Sequence, residues 1–340
     1  MRAGHTPEII DKLFGFSCEL ATTFWHDLTS AFSPRQWKEC TEVLSRTNTR
    51  KMFINLMPLI PQLVVFYLVL SPKVAMPLYN KLMFFPMKEG EYDVKTVAGV
   101  SKEDCFFSSA NGRKLHGWYF AVPQARGTVL ISHGNGGNLT WRVPLFEMFI
   151  RSKVSVFIYD YQGYGYSEGS PTVDNICEDG IAAYDFLVQK KNVPPSEVIL
   201  YGESLGGAVA CYTAARKQSA GLILQSTFSS LPHIAGQKLL HLKLYPQFFY
   251  PQNTLDNVAV LKSPHPPLLI VHGLKDRIIP EGEAELLFQG ACEPKKIVRI
   301  AEASHNDLLS TYAPNLNQAL SEFVESVLSK SASTSASPNR

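Results

Sequence analysis

A serine hydroxyl is a poor nucleophile until a base takes its proton, so a serine becomes informative when its surroundings could supply that base. The run Gly202-Glu203-Ser204-Leu205-Gly206 places one serine on a tight corner. Glycines two residues to either side remove Cβ atoms that would strike neighbouring backbone, and the corner lifts the hydroxyl to the positive end of a following helix. A base and an acid follow in the order such chemistry requires: Asp276 in HGLKDRIIP (272–280) and His305 in ASHND (303–307). In that set Ser204 would attack a carbonyl carbon, His305 would carry the proton and Asp276 would fix the imidazole tautomer. Attack leaves an oxyanion, which needs backbone donors. The N–H of Leu205 is one; the second is expected from Asn135 in His133-Gly134-Asn135-Gly136-Gly137-Asn138, where small residues let the backbone approach a substrate. A phosphate cradle is the other reading of that loop, but its spacing is neither G-x-G-x-x-G nor the Walker pattern.

These residues converge only if particular elements hold them. From about residue 98, short β-branched or aromatic runs alternate with helical stretches. EDCFFSS and KLHGWYFAV, joined at Asn111-Gly112, predict a hairpin. GTVLISHG, VSVFIYDY, EVILYGES, GLILQST, PLLIVHG and KKIVRIAE then predict six strands, most of them continuously apolar, as strands buried on both faces should be. Helical patterns fall at 140–152, 174–190, 205–217, 281–290 and 306–329. The alternation predicts a mostly parallel central sheet flanked by helices, whose strand ends share one edge, so Ser204, Asp276 and His305 meet there despite gaps of 72 and 29 residues. Between 228 and 266 no strand is expected. A stretch of that length reads as a small helical insertion with an apolar underside, carrying Leu239, Leu240, Leu242, Leu244, Tyr245, Phe248, Phe249 and Tyr250. His233 and His241 within it read as polar-face residues rather than metal ligands.

The chain has 340 residues, 45% hydrophobic and 18% charged, which excludes a disordered linker. Its formal net charge of +2 leaves no basic surplus for a run of phosphates, so no nucleic-acid partner is expected. Six scattered cysteines include no Cys-x-x-Cys and no zinc-ligand spacing. Residues 1–97 read as a helical lead, with helices near 6–32 and 34–44. Met52–Leu70 runs nineteen residues without a charge, about 28 Å as a helix against a hydrocarbon core of about 30 Å. That favours a single-pass membrane segment near 52–70 over a buried helix kinked at Pro58 and Pro61, with a cytoplasmic protein as the alternative. Flanking lysines and arginines differ by one charge and barely orient it. Residues 98–328 form the expected catalytic domain, and 329–340, small and polar, a disordered tail.

HGNGGN, DYQGYGYSEGSP (160–171), GESLGG, HGLKDRIIP and ASHND together resemble the α/β-hydrolase superfamily over residues 98–328. The apolar lead, Phe84-Phe85-Pro86 and the short insertion resemble its membrane-anchored branch, which includes protein depalmitoylases. The resemblance implies an α/β-hydrolase fold and a serine hydrolase that needs no metal or organic cofactor and cleaves ester or thioester bonds. Its substrates would be small molecules or acylated proteins, met at a membrane. A peptidase of the same fold and a membrane-tethered, non-catalytic ligand binder are the alternatives. Two features depart from the branch: Cys18 and Cys40 stand alone where it has a cysteine cluster, and Gln162 stands where it has arginine. Asp160 ends a strand on the same edge, but its place in the DYQGYG run implies a loop-holding role, leaving Asp276 as the acid.

Overall fold

The computed structural model describes residues 57–334; the expected helices at 6–32 and 34–44, and residues 52–56 of the apolar segment, lie outside them. The chain divides into two compact units. Among the described residues the smaller holds 57–75 with Leu239–Pro251, and the larger runs from Met76 to Lys238 and resumes at Gln252.

In the smaller unit, helix α1 (Ile60–Val69) follows a short 3-10 turn and has a proline in its first turn, where the missing N–H costs nothing. Just beyond its end the Ser71 hydroxyl donates to the Leu68 carbonyl. Tyr67 ties α1 to the insertion segment. Its ring stacks on Tyr245 at 4.4 Å, its hydroxyl donates to the Leu244 carbonyl, and its carbonyl accepts the Tyr245 hydroxyl. Among the described residues no helix is long and apolar enough to cross a membrane.

The larger unit begins ahead of the expected boundary at 98, with α2 (Met76–Met83), β1 (Phe85–Pro86) and β2 (Thr96–Val97). The hairpin follows as β3 (Val100–Ser108) and β4 (Lys114–Phe120), turning at Gly112 with φ +78°. Next come β5 (Thr128–Ser132), β6 (Gly136–Gly137), α3 (Val143–Arg151), β7 (Ser155–Asp160), α4 (Val173–Lys190) and β8 (Val198–Glu203). The chain continues through α5 (Leu205–Ala214), β9 (Gly221–Gln225), α6 (Leu231–Lys238), α7 (Asn257–Leu261), β10 (Leu268–Gly273), α8 (Glu281–Gly290), β11 (Lys295–Ile300) and α9 (Ala313–Thr334).

The main sheet runs β11-β10-β9-β8-β5-β7-β4-β3-β2, parallel from β7 to β11 and antiparallel where β4 joins β7. β5, β7, β9 and β10 are buried at every residue, which accounts for their unbroken apolar text, while β3, next to the short edge strand β2, alternates. Side-chain alternation splits the core. Leu130, Leu200 and Ile270 pack beneath α4, α5 and α8, and Val129, Ile199 and Leu269 pack beneath α3 and α9.

Two helical boundaries differ from the expectation. α9 starts at Ala313 rather than near 306, because Asp307 closes a turn: its carboxylate accepts the Ser304 N–H and hydroxyl, and its carbonyl accepts the Tyr312 N–H. It then runs to Thr334, beyond the expected start of the tail at 329; residues 335–340 lie outside the described residues. The insertion contains α6, two 3-10 turns and α7. Its apolar side chains do not all turn inward: Leu242 and Tyr245 are buried, Leu240, Leu244 and Phe248 exposed.

Candidate active site

The chain leaves β5 to pair β7 on one side and returns to pair β8 on the other, so the crevice beyond the ends of β5 and β8 is a topological switch point. Ser204 stands there, immediately after β8. Its backbone has φ +53° and ψ −117°, a conformation that a residue with a Cβ adopts only under strain. The surroundings enforce it. The Ser204 N–H donates to the Gln225 carbonyl at 2.8 Å, and its carbonyl accepts the Thr227 hydroxyl at 2.6 Å. The flanking glycines are sterically required: a Cβ on Gly202 would sit 2.3 Å from the Gly206 carbonyl oxygen, and one on Gly206 would sit 2.0 Å from the Ser132 carbonyl oxygen. The hydroxyl thus stands at the first turn of α5, where the helix dipole favours negative charge.

Asp276, after β10, and His305, after β11, come together. His305 Nδ1 lies 2.6 Å from Asp276 Oδ2, while Asp276 Oδ1 accepts the N–H groups of Ile278 and Ile279, each at 2.8 Å. Three hydrogen bonds to one buried carboxylate fix its orientation, hold the proton of the imidazole on Nδ1 and leave Nε2 for exchange. The Ser204 hydroxyl itself forms no hydrogen bond to His305 within this structure; such contacts tighten when substrate binds.

The loop after β5 packs directly on the elbow, with Gly134 against the Ser204 side chain. Three of its carbonyls are engaged from outside the loop. Tyr161 donates to His133 O, Tyr164 and the Phe85 N–H donate to Asn135 O, and Arg142 donates to Gly136 O. The N–H groups of Asn135 and Leu205, the two expected oxyanion donors, have no acceptor among the described residues. Burial pushes the hydroxyls of Tyr161 and Tyr164 well up, so both stay protonated donors.

Several residues essential to this geometry are not apparent from the sequence. Arg142 grips Glu203 with both Nε (2.9 Å) and Nη2 (3.2 Å), joining the loop after β5 to the residue before the serine. Burial pushes the Glu203 carboxyl up, but the Arg142 charge and hydrogen bonds outweigh it and hold the group below its ordinary range. His272, buried beside Asp276, donates from Nε2 to the Ile279 carbonyl at 2.9 Å; burial holds it below its ordinary range, hence neutral. Asp160 lies off the His305 pair and takes the Leu139 N–H at 2.8 Å, which fits a loop-holding residue. Gln162, the departure from arginine, donates from its backbone and side chain to the two oxygens of Asp179. Burial raises the Asp179 carboxyl to about 6, the Gln162 hydrogen bonds opposing.

Residues 123–258 match the family profile described as serine aminopeptidase, S33, a span that includes Asn135 and Ser204. The uncharacterized protein YfhR of Salmonella typhi is 33% identical over 248 residues, 67% of this chain and 82% of its own. The α/β-hydrolase domain-containing protein WAV2 of Arabidopsis thaliana is 32% identical over 234 residues, 62% of this chain and 75% of its own. The chain belongs to the α/β-hydrolase superfamily. This α/β-hydrolase shares its fold with the Pyrococcus furiosus esterase Pf2001, at a TM-score of 0.60 and 17% identity over 72% of this chain and 98% of that one. The narrower likeness to the protein-depalmitoylase branch goes beyond what these relatives show.

Proposed function

We propose that this α/β-hydrolase is a serine hydrolase that cleaves carboxylic ester or thioester bonds through an acyl-enzyme. The observation that carries the reading is Ser204, held at φ +53° on the same sheet edge as the hydrogen-bonded His305–Asp276 pair. Backbone strain of about 1–3 kcal/mol persists only where the surrounding structure imposes it, and such sites cluster at catalytic centres. In the first step Ser204 Oγ bonds to the acyl carbon, its proton passes to His305 Nε2, and the oxyanion takes the N–H groups of Leu205 and Asn135. His305 then returns the proton to the leaving alcohol or thiol. In the second step water attacks the acyl-enzyme with His305 as base, and the acid is released. The imidazolium formed in each step lies against Asp276, whose carboxylate is already oriented.

The aliphatic and aromatic content of the insertion supports an apolar acyl group, borne by a lipid or an acylated protein. A p-nitrophenyl ester series from acetate to palmitate tests both points. The reading expects hydrolysis that rises with chain length and is lost in Ser204→Ala; equal turnover by that variant refutes it. The aminopeptidase description of the matching profile favours a peptidase as the second reading, which predicts release from aminoacyl p-nitroanilides in preference to esters.

A further inference from the structure

The exposed apolar side chains of the smaller unit come from two stretches of chain far apart in sequence. α1 is apolar at every position but Pro61, Gln62 and Tyr67, and it buries none of its side chains; Leu63, Val64, Val65 and Phe66 are all exposed. A helix apolar all round belongs in a protein core or in lipid, and this one is in no core among the described residues. The second stretch adds Leu240 (69% exposed), Leu244 and Phe248 (53%). The two are fastened together by the Tyr67–Tyr245 stack, the reciprocal hydroxyl-to-carbonyl bonds, the edge-on packing of Tyr67 against Phe249 and a Lys73 N–H donated to the Phe249 carbonyl.

Charge identifies the occupant. Neither 57–75 nor 239–251 contains an aspartate or glutamate, and their charged residues are Lys73 and Lys243, both exposed. Two copies apposed on this surface would bring like charges together. A bilayer carrying anionic headgroups would receive the apolar side chains among its acyl chains and the two ammonium groups at its phosphates.

We propose that α1 and insertion residues 239–251 form one lipid-binding surface, selective for anionic bilayers, so that the insertion itself touches lipid rather than leaving attachment to the N-terminal segment. The proposal does not depend on the catalytic reading.

Its test is cosedimentation of the full chain with vesicles of phosphatidylcholine alone or mixed with phosphatidylglycerol. Wild type is expected to partition onto both and to favour the anionic ones. The triple variant Leu240→Ser/Leu244→Ser/Phe248→Ser is expected to lose about tenfold or more of its binding to anionic vesicles. Lys73→Glu/Lys243→Glu is expected to lose the preference for phosphatidylglycerol while still binding. Every substituted side chain is exposed, and an unchanged near-ultraviolet circular dichroism spectrum marks the variants as folded. Unchanged vesicle binding by the triple variant overturns the proposal, as does absence of binding by wild type. So does a concentration-dependent dimer that the triple variant abolishes, which would assign the surface to a second copy. Loss of fluorophosphonate labelling at Ser204 with vesicle binding intact would count against the catalytic reading alone.

Discussion

Arg142 and Glu203 provide the sharpest stability experiment in this protein. Their side chains are 8% and 17% exposed, they share two hydrogen bonds at 2.9 and 3.2 Å, and Arg142 adds a third to the Gly136 carbonyl at 3.1 Å. Replacing Arg142 by methionine keeps the apolar stem but leaves a buried carboxylate with no cation, and replacing Glu203 by leucine strands a buried guanidinium. Removing one partner of a buried pair costs about 3–5 kcal/mol, whereas exchanging both for apolar residues is often close to neutral. Each single variant should therefore lose about 3–5 kcal/mol in urea unfolding, and Arg142→Met/Glu203→Leu should lose less than either, a coupling of several kcal/mol. Arg142→Met should also free the Glu203 carboxyl to move up, since the largest opposition to burial is then gone, so that variant regains part of its loss as pH falls. Single variants that each cost under about 1 kcal/mol, or a double variant that costs their sum, would refute this reasoning.

Three further outcomes follow from the same geometry. Ser204→Gly should abolish hydrolysis yet raise the urea midpoint by about 1 kcal/mol of stability, because glycine accepts φ +53° freely; Ser204→Ala keeps its Cβ and should show no such gain, so equal stability of the two variants contradicts the strain. Gly206→Ala should cost at least about 3 kcal/mol, since its Cβ meets the Ser132 carbonyl oxygen at 2.0 Å, whereas Gly282→Ala, with nothing within 4 Å, should be neutral or stabilising in thermal unfolding. Asp179, raised to about 6, holds its proton longer in the folded than in the unfolded state, so its contribution is fully present below about pH 4 and is lost as pH rises through 6, roughly 3 kcal/mol in all. Gln162→Arg places a cation there, and urea unfolding at pH 4.5 and 7 should show that loss removed; an unchanged pH dependence would mean that Asp179 is not its source.

The sheet was legible because β5, β7, β9 and β10 are buried on both faces and so carry uninterrupted apolar text, with glycine, proline or a polar residue marking each end. Ser204, Asp276 and His305 were legible for a related reason: each follows a strand, and parallel strands deliver their C-terminal ends to one edge. What holds the site was not. Arg142 and Glu203 are 61 residues apart, and nothing local distinguishes them from surface charges until β5 and β8 become neighbours. Tyr161 and Tyr164 stood in a motif legible only as a loop, yet their hydroxyls pin the carbonyls of His133 and Asn135. The late start of α9 depends on Asp307, whose short side chain bonds Ser304 locally and competes with the helix that periodicity alone predicts from 306.

The most direct test of the central claim is the intact mass of the protein trapped by acid quench during turnover of a p-nitrophenyl ester, followed by peptide mapping. An acyl adduct on Ser204, absent in Ser204→Ala and formed far more slowly in His305→Ala, is the predicted result. Ester hydrolysis that proceeds with no adduct, or with one on another residue, would contradict it.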